Sequence, residues 1–178
     1  MSSDIHVQRA SEADITELVT LAARTFPLAC PSSTPWRDIQ DHIKSRLNAE
    51  SFREHMDSID TEFHLARDSS GRNLGYSMLV QSAEGAPAFG SGAPVELRRL
   101  YVIEEAHGKD VGSALLSCVE QRGSELGRSW IWLGTNQANS RAIKFYEKHA
   151  FRQVGTRTFQ VGGSIERDFF MAKSLELS

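Results

Sequence analysis

The sequence ELRRLYVI at positions 96–103 is followed by HGKDVG at 107–112, WIWLGT at 130–135 and NSRAIKFYEKHAF at 139–151. The first and third stretches are apolar and predict strands, whereas the fourth has the spacing of an amphipathic helix. The second is a glycine-containing turn that opens a helix predicted over 111–126. Backbone N–H groups at such a helix start form an anion site. Tyr146, in the fourth stretch, lies on the next helix and can act on a chemical group attached to the bound anion.

The rest of the chain supplies the other elements of a single domain, which we expect to span 1–178. Periodicity predicts strands at 5–9, 62–68, 73–81, 152–161 and 165–174, and helices at 15–25, after Thr34-Pro35 and at 49–58. We expect Pro27 to end the first helix and Thr34 to cap the second. The resulting order, β-α-α-α-β-β-β-α-β-α-β-β, predicts an α/β (α+β) fold with a mixed, mostly antiparallel sheet and helices on both faces.

Composition excludes several classes of function. The net charge of −3 over 178 residues gives no basic footprint for nucleic acid. No stretch approaches the ~20 apolar residues of a membrane span, and the first residues lack the order of a signal peptide, so we expect a cytoplasmic protein. Two cysteines make neither a disulfide framework nor a zinc site, and the histidines show no metal-ligand spacing. We therefore expect no metal.

Together these stretches resemble the GNAT family of N-acetyltransferases, which move an acetyl group from acetyl-CoA to an amine. The family's pyrophosphate loop, Gln/Arg-x-x-Gly-x-Gly/Ala, matches 107–112 with Gly112 kept and with His107 and Asp110 as departures. The following positions also fall at the family's spacing: Asn139, Ala142, Phe145, Tyr146 and Phe151. More loosely, residues 158–175 resemble those of bacterial spermidine/spermine acetyltransferases.

The resemblance implies that acetyl-CoA, as co-substrate, lies where the two central parallel strands, 95–103 and 130–135, splay apart. Its pyrophosphate would be held at the loop, by His107, Gly108, Lys109, Asp110, Val111, Gly112 and Ser113. Its pantetheine amides would pair with the backbone of Leu100, Tyr101 and Val102 as an added strand does. We expect the Asp110 carboxylate to face solvent and Lys109 to offset its charge. Asn139 is either a helix cap, a further contact to the cofactor, or both.

Two residues are candidates for proton transfer. The resemblance assigns Tyr146 the role of general acid, because the departing thiolate must collect a proton and a phenol can supply it. The alternative is a core aromatic beside Phe145. Glu96 is the candidate base, acting directly or through water. It could instead only attract a cationic acceptor or hold a neighbouring arginine.

The acceptor is less defined by sequence. We expect the helical insert and the last hairpin to recognise it, with Trp36, Glu62, His64 and Asp168 as candidate contacts. A small polyamine-like amine is the leading acceptor, attacked directly in a ternary complex. A different small amine, a protein amino group, or a sensor that binds acyl-CoA without turnover remain open. A homodimer through the terminal strands is consistent with the resemblance. Phosphate-loop and dinucleotide-binding motifs are absent from the sequence.

Overall fold

The structure is a computed structural model that describes residues 4–175, apart from the side chain of Phe159. The predicted domain, 1–178, therefore extends three residues beyond the described range at each end. The strands are β1 His6–Arg9, β2 Thr61–Arg67, β3 Asn73–Val80, β4 Pro94–Val102, β5 Trp130–Asn136, β6 Arg152–Val161 and β7 Ser164–Ser174. The helices are α1 Ile15–Ala29, α2 Trp36–Arg46, α3 Ala49–Asp57, α4 Val111–Glu125 and α5 Ser140–Lys148. The predicted order of elements is confirmed.

Among the described residues, seven strands form one sheet in the order β1-β2-β3-β4-β5-β7-β6. Every neighbouring pair is antiparallel except β4 and β5, which run parallel. The helices cover both faces. On β3, Tyr76 packs against Phe52 of α3, whereas its neighbour Gly75 faces Leu115 of α4. Because successive strand residues point to opposite faces, α3 and α4 lie on opposite sides of the sheet.

The two central strands separate after a short parallel contact. Their pairing ends where Glu96 of β4 meets Trp132 of β5. Beyond that point β4 continues beside β3, and β5 continues beside β7. Arg98 is an extra residue in β4, because Leu79 pairs with Leu97 and Met78 with Arg99. A bulge of this kind bends its strand. The predicted splay is confirmed, and it opens a wedge between two otherwise continuous halves of the sheet.

Two local predictions near the N-terminus are wrong. The first helix does not stop before Pro27 but continues to Ala29, with the proline inside its last turn. The reason is tertiary packing: Phe26 is buried, stacks on His42 of α2 at 4.5 Å between ring centres and meets the ring of Tyr101. Thr34 does not cap α2, because its hydroxyl donates to Glu166 Oε1 of β7 at 3.0 Å. The N-cap position belongs to Pro35.

Candidate active site in the splayed sheet

A cleft of about 950 Å³ occupies the wedge between β4 and β5. Its lining includes the turn before α4, the start of α5, parts of α1 and α2, and the β6–β7 hairpin. The side of β4 that faces the wedge has no strand partner after Glu96. An extended ligand can therefore add to this edge through backbone hydrogen bonds. Leu100, Tyr101 and Val102, the three residues predicted to pair with the pantetheine, all line the cleft.

The turn into α4 has the backbone of an anion site. Gly108 adopts φ +73°, and Asp110 adopts φ +62° immediately before the helix begins at Val111. Asp110 is exposed and lines the cleft, and its side chain caps no N–H. A left-handed residue at this point suits glycine best and aspartate acceptably. The N–H groups of the first turn of α4 are therefore free to meet an anion.

Three other residues of the loop, Gly112, Ser113 and Lys109, differ in their contacts. A Cβ atom at Gly112 would lie 3.2 Å from the Phe145 ring, so this glycine lets α4 approach α5 closely. Ser113 donates its hydroxyl proton to His149 Nε2 at 3.1 Å, because His149 Nδ1 already donates to the Phe145 carbonyl. Lys109 is exposed and is not among the residues that line the cleft. That Lys109 offsets the charge of Asp110 stays a prediction.

Asn139 caps α5. Its Oδ1 accepts the N–H of Ala142 at 3.2 Å, and the residue also lines the cleft. Its capping role is thus established, while its side-chain N–H groups remain available for a ligand.

Tyr146 lies in the cleft wall and is 7% exposed. Its ring meets Phe145 and Phe151 edge to face, with ring centres 5.2 Å and 5.5 Å away. Burial raises the pKa of this phenol above its ordinary value of 10, and the nearby Tyr101 raises it further. At neutral pH the hydroxyl therefore keeps its proton and is a hydrogen donor. Tyr146 is both a packed aromatic and a cleft-lining group, so the two alternatives for it are not exclusive.

Glu96 stands where the strands part. It is 4% exposed and lines the cleft. Arg98 donates to its Oε2 from Nε at 3.1 Å and from Nη2 at 2.6 Å. Within residues 4–175 no hydrogen bond reaches its other oxygen. The carboxylate thus holds the neighbouring arginine and still presents one oxygen to a ligand.

Asp168 is the one predicted acceptor contact that lines the cleft. It is 3% exposed, and Arg157 donates to its Oδ2 at 3.3 Å. Its Oδ1 is buried without any hydrogen-bond partner. Burial raises the pKa of Asp168, although Arg157 acts in the opposite direction. An unsatisfied buried oxygen in a cleft wall is a position where a ligand donor gains a full hydrogen bond.

The other three predicted acceptor contacts do not line the cleft. Glu62 and His64 lie together beneath α4. Arg122 of α4 donates to both oxygens of Glu62, from Nη2 to Oε1 at 2.8 Å and from Nε to Oε2 at 2.9 Å. His64 Nδ1 lies 3.3 Å from the Ser77 hydroxyl. Although burial alone would raise the pKa of Glu62, the bonds from Arg122 lower it. Trp36, the first residue of α2, is 58% exposed outside the cleft.

Comparison with known proteins gives the family. Residues 16–151 match the Acetyltransferase (GNAT) family. The chain belongs to the GNAT family of acetyltransferases. It is 36% identical over 162 residues to an uncharacterised N-acetyltransferase of Mycobacterium tuberculosis. The aligned region covers 91% of this chain and 98% of the relative. This chain is therefore an acetyl-CoA-dependent N-acetyltransferase.

Solved GNAT structures share the fold. The PaiA N-acetyltransferase of Thermoplasma acidophilum, in complex with coenzyme A, superposes with a TM-score of 0.75 at 22% identity, over 96% of this chain and 99% of that one. Mutant forms of the spermidine/spermine N-acetyltransferase SpeG of Vibrio cholerae superpose with a TM-score of 0.68 at 15% identity, over 96% and 94%. At these identities the likeness concerns the fold and not the acceptor.

The cleft of this GNAT enzyme fits acetyl-CoA. It offers a free strand edge, an N–H cradle at α4 and a volume large enough for an elongated ligand. One of the predicted backbone contacts already has a partner, because the Val102 carbonyl accepts from His107 Nε2 at 2.8 Å. Among residues 4–175, no helix is both long and apolar enough to cross a bilayer.

Several cleft residues escaped the sequence analysis. They are Cys30, Arg46, Arg99, Arg141, Arg157 and Glu166. Glu166 could have been found, since it lies two residues before Asp168 on the same face of β7. Arg157 could not, because only the pairing of β6 with β7 places it opposite Asp168. The others come from helices or strands whose distance from the cleft the sequence does not give.

Proposed function

We propose that the acceptor is a small polyamine-like primary amine and that its cationic end is bound by Asp168 and Glu166. The observation that carries the proposal is the Asp168 Oδ1 atom, which is buried in the cleft wall with no partner. An ammonium group presents three donors, one of which would satisfy this oxygen. Glu166 lines the same end of the cleft and accepts from Thr34 and, at 3.4 Å, from Asn136. Two neighbouring carboxylates favour a cation.

In this proposal Tyr146 donates one proton and Glu96 accepts another. Bound acetyl-CoA supplies the acetyl group as a thioester whose sulfur leaves as a thiolate. The Tyr146 hydroxyl, kept protonated by burial, would donate its proton to that sulfur. The unbonded oxygen of Glu96, directly or through water, would take the proton that the ammonium must lose before its nitrogen can attack. The Arg98 bonds occupy Oε2, so the other oxygen of Glu96 is the one that would accept this proton.

We further propose direct transfer in a ternary complex. A covalent route would need an activated nucleophile in the cleft. Cys30 lines the cleft, but burial raises the pKa of its thiol to about 11, with Glu166 adding to the effect. A thiol with that pKa holds little thiolate at neutral pH, so it is a poor nucleophile. This supports attack by the amine itself.

A second acceptor class is favoured by one other observation. Arg99 lines the cleft, and its buried Nη1 has no hydrogen-bond partner that satisfies the distance and angle limits. A guanidinium with an unused donor suits a carboxylate. Arg46 adds a further cation to the lining. An acceptor with both an amine and a carboxylate, such as an amino acid or a peptide, would use these groups.

The test is release of free thiol from acetyl-CoA across a panel of amines at one fixed concentration. The panel should contain spermidine, spermine, a diamine, the matched monoamine, free amino acids and a short peptide. Our proposal predicts that diamines and polyamines give higher initial rates than the matched monoamine. Turnover confined to amino acids or peptides would favour the second class. No turnover with any amine, together with tight CoA binding, would indicate a sensor.

We also propose a cytoplasmic, homodimeric protein. The two cysteines, Cys30 and Cys118, are both free thiols, which supports a reducing compartment. Strand β6 forms one edge of the sheet. The backbone groups on the outer side of an edge strand can pair with a second copy, which supports a dimer through this strand. Light scattering after size exclusion would test the dimer, and a monomeric mass at all concentrations would contradict it.

A further inference from the structure

Two residues contact each other at the phosphate end of the cleft across 34 positions of sequence. His107 ends the short turn after β4, and Arg141 lies in the first turn of α5. The distance between His107 Nδ1 and Arg141 Nη1 is 3.2 Å, and His107 Nε2 lies 2.8 Å from the Val102 carbonyl oxygen. Both residues line the cleft.

The partners of His107 determine where its proton is. A carbonyl oxygen only accepts, so Nε2 carries the hydrogen and donates it to Val102. A guanidinium only donates, so Nδ1 is the lone-pair nitrogen and accepts from Arg141. The ring is therefore neutral, with its one N–H already used. His107 occupies the first position of the pyrophosphate loop and yet has no donor left for a phosphate.

Arg141 does have donors left. Its guanidinium carries five N–H groups, of which one contacts His107 and another makes a long 3.5 Å contact with the Leu28 carbonyl. The residue is exposed at the mouth of the cleft, close in sequence to the capping Asn139. Lys148 also lines the cleft, but it lies at the opposite end of α5. Asp110 also lines the cleft, and its carboxylate would repel a phosphate. A positive side chain at this place would offset that repulsion.

We propose that Arg141 binds a phosphate of CoA and that His107 is the positioning residue that holds its guanidinium at the cleft. The cation of this site thereby comes from α5 instead of from the loop, where the family pattern has Gln or Arg. Arg141 can make paired, charge-assisted bonds to phosphate oxygens. The proposal concerns the co-substrate alone and does not depend on which amine is the acceptor.

The first experiment measures CoA binding by calorimetry for the wild-type enzyme and for Arg141→Met. We expect the Kd to rise about tenfold or more, as for loss of a hydrogen bond to a charged group. We also expect the Kd to depend less steeply on salt in the variant, because one ionic contact is missing. Arg37→Met is the matched control, since Arg37 is largely exposed outside the cleft. Its Kd should equal that of the wild type.

Two results would overturn the role of Arg141. One is an unchanged Kd in Arg141→Met. The other is a raised Kd with the salt dependence of the wild type, which would mean that the substitution disturbs the fold and not an ionic contact. Repeating the titration with 3′-dephospho-CoA identifies the phosphate. A loss that disappears indicates the 3′-phosphate, and a loss that persists indicates the pyrophosphate.

The role of His107 is tested by a double-mutant cycle. His107→Ala should raise the Kd of CoA less than Arg141→Met does, because the arginine remains but is no longer held. In the double variant, His107→Ala should add almost nothing to the loss from Arg141→Met. Additive losses would show that His107 acts on CoA independently of Arg141, and they would overturn the positioning role.

Discussion

Asp168→Asn should make the protein more stable and should weaken the binding of the amine acceptor. The substitution removes a charge from a side chain that is 3% exposed, while an amide oxygen remains to accept from Arg157. Arg157 also keeps the Phe170 ring, which lies 5.4 Å from its guanidinium carbon. An unpartnered buried polar atom costs about 1–3 kcal/mol, more if it is charged. We expect the free energy of unfolding to rise by about 1 kcal/mol at pH 7.

The pH dependence of this gain has a definite sign. Burial raises the pKa of Asp168 above its ordinary value of 3.8. The raised pKa therefore adds to the free energy of unfolding of the wild type, and this contribution is fully present below pH 3.8. It is lost as pH rises through the raised pKa of the folded protein. The asparagine variant has no such group to ionise. The stability difference should vanish at acidic pH and reach its full size near neutrality.

The same substitution should weaken the binding of the acceptor. A hydrogen bond from an ammonium to a carboxylate is worth about 1.5–3 kcal/mol, so the KM for a diamine should rise about tenfold to a hundredfold. The Kd of CoA should not change. Urea unfolding at several pH values and thiol release with a diamine measure both effects. A variant that is less stable at neutral pH, with an unchanged KM for the amine, would refute the reasoning and make Asp168 structural.

Three further substitutions test separate parts of the account. Asp110→Gly should tighten CoA binding and raise the unfolding free energy by ~0.5–1 kcal/mol, because it relieves a left-handed backbone at φ +62° and removes a negative charge; calorimetry and urea unfolding check this. Gly134→Ala should raise the KM for the amine, since its Cβ would displace the Arg157 guanidinium; thiol release with a diamine would show it, and an unchanged KM would count against that contact. Glu62→Gln should lower stability by ~1–3 kcal/mol near pH 7 without changing the KM, because it breaks the bonds to Arg122. As Arg122 lowers the pKa of Glu62, this loss should shrink as pH falls below 4.5, and equal losses at pH 3 and pH 7 would contradict it.

The sequence was sufficient for elements whose pattern is local. Strand β5 and helix α4 were predicted to within one residue of their ends, because their apolar periodicity and the following Gly127 are local signals. A helix cap was one of the roles predicted for Asn139 for the same reason. Where a distant residue competes with a local preference, prediction was wrong. Thr34 gives its hydroxyl to Glu166, 132 positions away, and Phe26 holds the last turn of α1 against Tyr101 in spite of Pro27.

The site was predictable where chemistry follows a motif and not where it depends on pairing of strands. Glu96 and Tyr146 lie in short stretches with recognisable spacing, and both line the cleft. Glu62 is as polar as Glu96 and also sits on a strand, but Arg122 from α4 neutralises it outside the cleft. Nothing in the alternation of β2 distinguishes a carboxylate that faces a ligand from one that faces an arginine of another element.

The most direct test of the central claim is the turnover of Tyr146→Phe at saturating acetyl-CoA and amine, with CoA binding measured in parallel. The phenylalanine keeps the ring contacts with Phe145 and Phe151 and removes only the hydroxyl. Our account predicts a fall in kcat of about 10²–10⁴-fold with an unchanged Kd for CoA, as expected for loss of a general acid. A kcat equal to that of the wild type would contradict it and remove Tyr146 from the chemistry.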